Sequence, residues 1–321
     1  MSNSSRLALL VIAYRRVETL ERILNISSAS GVENVYIVID KSPHEHLSYI
    51  QEEIVSLCER YRSAFTSMRI VKRSKNVGCA ASVMTGIDWT FRHETFACVL
   101  EDDCIPTPDF FAFAKSAREV MESDEDILLA CGTQFAPKEL STDPWVKSKY
   151  ALTWGWVTTR KNWTLIRSGI LRAENISISS RNKWSMKHFL DSEERYWNSG
   201  ARRARGGYVD VWDTILLYVM RMSEKYAILP TETLVTNVGD DATATHTKSS
   251  EWTHRSTGTF PNLFSQPKYS IMIDRWLKKN FFGISGRHLV STRITQMIDF
   301  LRTPPRPPLR DQFNDNQIKE L

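Results

Sequence analysis

Residues 96–103 read FACVLEDD, a continuous apolar run from Phe96 to Leu100 that stops at three acids, Glu101, Asp102 and Asp103. A segment apolar on both faces predicts a strand in the middle of a sheet, because an edge or half-exposed strand would alternate apolar with polar. Upstream, short β-rich runs alternate with helical patterns. Leu7 to Ala13 predicts strand one and Val17 to Asn25 its helix; Val35 to Ile39 predicts strand two, and Glu45 to Ser63 a second helix. Met68 to Val71 reads as strand three. Ala80, Val83, Met84 and Ile87 then recur at helical spacing, and beyond the acids another helix starts near Pro108, a residue suited to a first turn. This rhythm predicts an α/β fold with a mostly parallel central sheet flanked by helices.

Past Ile127 the pattern loosens into polar segments carrying Trp145, Trp154, Trp156, Trp163, Trp184, Trp197 and Trp212. From about Pro261 an aromatic, basic, helix-like stretch, Ile271 to Phe282, precedes the proline-rich tract Thr303 to Pro308, which should stay extended. The expected divisions are therefore 1–130, 131–260 as a second half of the same domain, and 261–321 as a helical extension with a proline-rich tail.

The chain has 321 residues, 42% hydrophobic and 25% charged, enough to bury a substantial core. No apolar run approaches the roughly 20 residues that span a bilayer as a helix. The polar start, Met1 to Arg6, lacks the form of a signal peptide, and the five cysteines, Cys58, Cys79, Cys98, Cys104 and Cys131, are scattered without zinc-site spacing. Both features lead us to expect reduced thiols and a cytoplasmic protein. The net charge of +5 has local excesses at Lys72 to Lys75 and Arg202 to Arg205, and suits nucleic acid, a membrane surface or an anionic small molecule equally.

In open α/β sheets, ligands bind outside the carboxyl ends of the strands. Here those ends are polar: Tyr14, Arg15 and Arg16 follow strand one, Asp40 follows strand two, and the acid triplet follows the central strand. No glycine-rich dinucleotide fingerprint or phosphate loop follows strand one, which argues against a dehydrogenase or a P-loop NTPase. Three adjacent carboxylates repel one another. A hard cation such as Mg²⁺ or Mn²⁺ would relieve that repulsion through oxygen ligands; the competing reading is a solvated acidic turn at the following helix N-terminus.

The opening strand with Tyr14-Arg15-Arg16, the segment Val38-Ile39-Asp40-Lys41-Ser42, Asn76-Val77-Gly78, and Val99-Leu100-Glu101-Asp102-Asp103 followed by Pro106, Asp109, Phe110 and Phe111 together resemble the GT-A glycosyltransferases. Within them the chain looks most like the N-acetylglucosaminyltransferase I group and related bacterial sugar transferases, from about Leu7 to His246. The resemblance implies a Rossmann-like, GT-A type fold with a nucleotide-sugar-binding half (1–130) and an acceptor-binding, catalytic-base half (131–260). It implies an inverting, metal-dependent transferase using a UDP-sugar, UDP-N-acetylglucosamine first, with a glycan or lipid-linked acceptor of surface polysaccharide synthesis and no nucleic-acid partner.

On the same resemblance, Asp40 would hold the nucleobase with Asn76 and Gly78 beside it, and Arg15 or Arg16 would contact nucleotide or phosphate. Asp103 would bind Mn²⁺ or Mg²⁺, with Glu101 and Asp102 toward the donor ribose or sugar. The element Tyr150 to Trp156 would line the sugar pocket through Trp154, Gly155 and Trp156, and leads into a helix expected over Thr158 to Ile166. Aromatic faces suit the C–H groups of sugars, although two tryptophans on one strand face also suit a core.

The base that takes the acceptor proton is expected at Asp213, in Val211-Trp212-Asp213-Thr214, with Trp212 beside it. The family carries two acids here and this chain has Thr214 in place of the second, so Asp210 is held in reserve. Helix capping is the alternative role for Asp213. His246, in Thr245-His246-Thr247, would reach the diphosphate or the metal, or else is a lone surface histidine. For Asp40 the alternative is an ordinary strand-ending turn residue, and for Arg15 and Arg16 a solvated helix entry.

Two other functions compete. A sugar-phosphate nucleotidyltransferase would share the sheet and acids but should carry a glycine-rich basic loop after strand one, where this chain has Tyr14-Arg15-Arg16-Val17-Glu18. A non-catalytic carbohydrate-binding protein would use the tryptophans without the carboxylates. The basic, aromatic stretch Arg275 to Arg287 allows peripheral contact with the inner face of a membrane, whereas packing of Trp276, Phe281, Phe282 and Ile284 on the main domain is the favoured alternative.

Overall fold

The computed structural model describes residues 6–175, 193, 196–197, 200–201, 212–240, 252–261 and 265–284. Strand β1 (Ala8–Ala13) is fully buried and runs parallel to both neighbours, β2 (Asn34–Ile39) and β4 (Phe96–Glu101). Its side chains alternate between two apolar layers, as a two-residue strand period requires. Leu10 and Ile12 enter one layer with helices α3 (Cys79–Thr90), α5 (Arg160–Asn175), α6 (Asp213–Met222) and α7 (Ile271–Trp276). Leu9 and Val11 enter the other with α1 (Val17–Ala29), α2 (Tyr49–Tyr61) and α4 (Pro108–Ser123).

The chain steps outward from β1 to β2 to β3 (Ser67–Lys72), then returns to lay β4 on the opposite side of β1. At such a reversal the connections leave in opposite directions and open a crevice at the strand ends. Beyond β4 the same sheet continues through β8 (Trp156–Thr159), β6 (Ile127–Cys131), β9 (Tyr226–Pro230), β7 (Trp145–Ser148) and β11 (Lys268–Tyr269). Pairing is mostly parallel, with β8 antiparallel to both β4 and β6, and β7 antiparallel to β9. The sheet thus has nine strands among the described residues, flanked by helices on both faces as the sequence predicts. A ribbon of β5 (Cys104–Pro106) and β10 (Val235–Asn237) carries the chain away from the acid triplet.

Several boundaries differ from the sequence expectation. The helix expected at Thr158 begins only at Arg160, because Thr158 is still in β8, where its hydroxyl donates to Leu128 O at 2.7 Å. Branched Thr158 and Thr159 suit a strand. Helix α1 runs past Asn25 to Ala29, and at its end Ser27 and Ser30 donate their hydroxyls back to the Ile23 and Ile26 carbonyls. The helix expected from Glu45 is a 3₁₀ turn, Glu45–Leu47, followed by α2. None of the five cysteines is in a disulfide. Trp184, Arg202 to Arg205 and the tract Thr303 to Pro308 lie outside the described residues. Among the described residues no helix is long and apolar enough to cross a membrane.

Gly155 makes the turn into β8 possible. It sits at φ +78°, and a Cβ there would lie 2.7 Å from Val235 Cγ2 and 3.0 Å from Leu100 Cδ2. Gly155→Ala should therefore destabilise the protein by about 2 kcal/mol in urea unfolding. Adding Val235→Ala should recover only the steric share, leaving the backbone strain in place.

Candidate active site

The turn after β1 is held by a carboxylate from β4's end. Asp102 Oδ2 accepts the backbone N–H groups of Tyr14, Arg15 and Arg16 at 2.7, 2.9 and 3.1 Å, and its own N–H bonds to Ile12 O at 3.0 Å. These N–H groups enter α1, where a negative charge is favoured by the helix dipole. Asp102 is 4% exposed and lines the cavity, so it is first a positioning residue for the residues that follow β1.

Arg16 reaches back from that turn. Its guanidinium lies 3.4 Å from Asp102 Oδ1 and 3.3 Å from Asp103 Oδ2. Asn237 Nδ2 donates to Asp103 Oδ1 at 3.2 Å, and Asn237 Oδ1 in turn accepts from Gly239 N. A Cβ at Gly239 would fall 2.1 Å from Asp103 Oδ2, so only glycine lets the backbone approach the carboxylate. Arg15 turns away and stacks over the Tyr14 ring at 4.6 Å.

One arginine does not balance this group. Burial, then the charges of Asp103, Asp102 and Asp213, push the Glu101 carboxyl up to about 8. Burial and the Asp102 charge raise Asp103 as well, against the opposing pull of Arg16. The surplus of carboxylate oxygens fits a hard divalent cation, and the one thiol beside them, Cys104 Sγ at 3.3 Å from Asp103 Oδ1, is kept protonated by burial. The fit is one of donor type: among the described residues no three His, Cys, Asp or Glu side chains converge as a closed metal cluster. His246, the further ligand expected from sequence, lies outside the described residues, as does Asp210.

Asp40, 5% exposed at the end of β2, accepts N–H groups from Lys41 at 3.0 Å, Val77 at 3.1 Å and Gly78 at 3.1 Å, and one from the Asn76 amide at 3.2 Å. Burial raises its pKa, and these N–H donors and nearby Arg73 pull against that rise. Gly78, at φ +87°, turns the chain into α3. Asp40 thus fixes the Asn76–Gly78 loop while lining the cavity.

The opposite wall comes from the tryptophan-rich half. Trp154 stands in the bend before β8 and packs edge-on to Phe135, with ring centroids 5.2 Å apart. Gly155 breaks the strand, so Trp154 and Trp156 do not share a face: Trp156 is core, 1% exposed, stacked on Trp212 at 5.3 Å. That stack ties β8 to the start of α6 and places Asp213, whose Oδ1 accepts Thr214 N at 2.7 Å. Asp213 is the first residue of α6, with Trp212 and not Asp213 at the N-cap position, and its side chain faces the cavity.

These walls enclose a cavity of about 590 Å³ at the strand-order reversal. It gathers Tyr14, Arg16, Asp40, Asn76, Gly78, Glu101, Asp102, Asp103, Trp154, Trp212 and Asp213; its lining does not include Arg15, Gly155 or Trp156. Sequence reasoning did not assign Phe135, Leu152, Asn237, Phe281 or Phe282 to the site, yet all five line it. Asn237, Leu152 and the two phenylalanines sit in segments whose composition stands out in the sequence, whereas nothing local distinguishes Phe135.

No family model matches the chain, and no curated protein matches it. Among solved structures it is similar to the apo form of the glycosyltransferase GlyE of Streptococcus pneumoniae, at 13% identity and a TM-score of 0.30. The match covers 86% of this chain and 64% of that one. A likeness this distant carries no argument about function, which must come from the site.

The repulsion at Glu101 has a measurable consequence. A carboxyl raised from 4.5 to about 8 on folding costs stability that is absent below about pH 4.5 and grows until the folded group has ionised. Glu101→Gln removes that cost. Without divalent cations it should stabilise the protein by about 2 kcal/mol near pH 8.5 and by almost nothing near pH 4.5, read from denaturant midpoints.

Proposed function

We propose that this protein is a metal-dependent, inverting glycosyltransferase that moves a sugar from a nucleotide diphosphate donor, UDP-N-acetylglucosamine or another UDP-hexose, to a hydroxyl of a glycan or lipid-linked acceptor. The observation that supports this reading most is the meeting, in one cavity, of the carboxylates after β2 and β4, the arginine after β1, an aromatic wall and a separate carboxylate at the start of α6. Such a division suits a reaction with a charged leaving group on one side and a neutral nucleophile on the other. The resemblance to GT-A enzymes in the acid triplet points the same way.

In this reading Asp103 would hold Mn²⁺ or Mg²⁺, with Glu101 near it and His246 as the further ligand expected from the sequence. That ion would supply charge neutralisation to the diphosphate oxygens. Arg16, already oriented between Asp102 and Asp103, shares the task by facing the leaving oxygen. Asp40 and the Asn76–Gly78 loop form the nucleoside end, and Trp154 offers a ring to the sugar. Asp213 takes the acceptor proton as the acceptor oxygen bonds to C1; the bond from C1 to the diphosphate oxygen breaks from the opposite side, inverting the configuration. The Trp156–Trp212 stack keeps Asp213 on the acceptor side.

Asp213→Asn keeps the size of the side chain and its acceptor toward Thr214 N. It should lower turnover of UDP-N-acetylglucosamine, followed as UDP release by NMR, about a hundredfold or more while leaving donor affinity unchanged. Unchanged turnover would remove Asp213 from the chemistry, and lost donor binding would make it a binding residue instead.

A further inference from the structure

The C-terminal element has two faces, and the cavity uses only one. After a π-helical turn, Leu277–Phe281, it sends Phe281 and Phe282 into the cavity wall, where Phe281 packs on Phe135 at 4.3 Å. Trp276, half-buried, and Ile284, buried, pack on the core too, so the apolar residues named for membrane contact pack on the main domain instead. A different set faces out. Tyr269, Ile271 and Met272 are 43, 49 and 55% exposed, flank the start of α7 on either side of its cap Ser270, and are among the few large apolar side chains exposed in the described residues.

These side chains are held out rather than left loose. Asp274, 6% exposed, accepts the Ser148 hydroxyl at 2.6 Å and Lys149 N at 3.3 Å, which pins α7 to β7. Ser270 Oγ accepts from Ile273 N and caps the helix. The Tyr269 hydroxyl also turns inward to Asp274, so its ring is what meets solvent. Around the apolar group stand exposed Lys268, Arg275 and Lys279, with Lys149 Nζ 5.5 Å from the Tyr269 ring centroid. Asp274 is the one acid between residues 265 and 284, and it is buried, so this element exposes no negative side chain.

We infer that the face formed by Tyr269, Ile271 and Met272, rimmed by Lys268, Arg275 and Lys279, docks on an anionic lipid surface. An aromatic ring and two flexible apolar side chains suit insertion at the headgroup boundary, and the cations suit the negative surface potential around them. Neither part suffices alone, since each cation contributes only about 1 kcal/mol near such a surface. Because Phe281 and Phe282 lie on the same short element, docking would bring their wall of the cavity toward the bilayer. The docking itself rests on no step of the sugar-transfer reading, and its failure would leave donor binding untouched.

The test is co-sedimentation of the full chain with phosphatidylcholine vesicles, with and without phosphatidylglycerol, free of any sugar nucleotide. Wild type should bind the anionic vesicles and release them as salt is raised. Ile271→Ser combined with Met272→Ser should weaken binding about tenfold or more, and Lys268→Glu combined with Arg275→Glu should abolish the preference for anionic lipid. All four sites are exposed, so thermal unfolding should match wild type. Absence of wild-type binding, or equal binding by the variants, would overturn the inference. Concentration-dependent dimerisation lost in the serine variant, without vesicle binding, would overturn it in favour of a second copy of the chain.

Discussion

Asp102 is the residue on which the site's geometry depends. One carboxylate oxygen satisfies three successive backbone N–H groups at the mouth of α1, and does so from the neighbouring strand's end. Sheet, helix and turn are thereby locked where the strand order reverses, and Arg16 is aimed back at the acids. The arrangement separates the triplet into distinct jobs. Asp102 is largely consumed in holding the turn, while Glu101 and Asp103 remain as carboxyls whose raised pKa values mark charge that the protein's own cations do not balance.

Asp40 repeats the device one strand away, binding the backbone of the loop that precedes α3. In both places a buried acid at a strand end fixes a loop and contributes a polar wall at once. Sites built on rigid elements hold their groups more precisely than sites built on loops alone, and this cavity is fixed from several strand ends together. The opposite wall follows another logic, in which stacked indoles transmit the position of β8 to the start of α6.

Much of the first half was legible because its signals are local. The apolar run into Glu101, the polar residues after Ala13 and the acid after Ile39 each name a strand and its functional end. The second half was harder to read. β6 to β9 and β11 are short and extend the sheet by pairing across long stretches of chain, and one of them, β8, inserts antiparallel between β4 and β6, an order no periodicity reveals. The same applies to the roles of Trp154 and Trp156, which differ because Gly155 turns the backbone between them. Phe135 enters the site only through tertiary packing against Trp154 and Phe281.

The claim that the strand-end acids form a cation-assisted nucleotide site is tested most directly by calorimetric titration of UDP and GDP, with and without Mn²⁺, on wild type and Asp103→Ala. The account predicts that UDP binds in the presence of Mn²⁺, that affinity falls about tenfold or more without it, and that Asp103→Ala abolishes the metal-dependent part. Failure of either nucleotide to bind under any metal condition, or UDP binding that ignores both Mn²⁺ and Asp103→Ala, would contradict it.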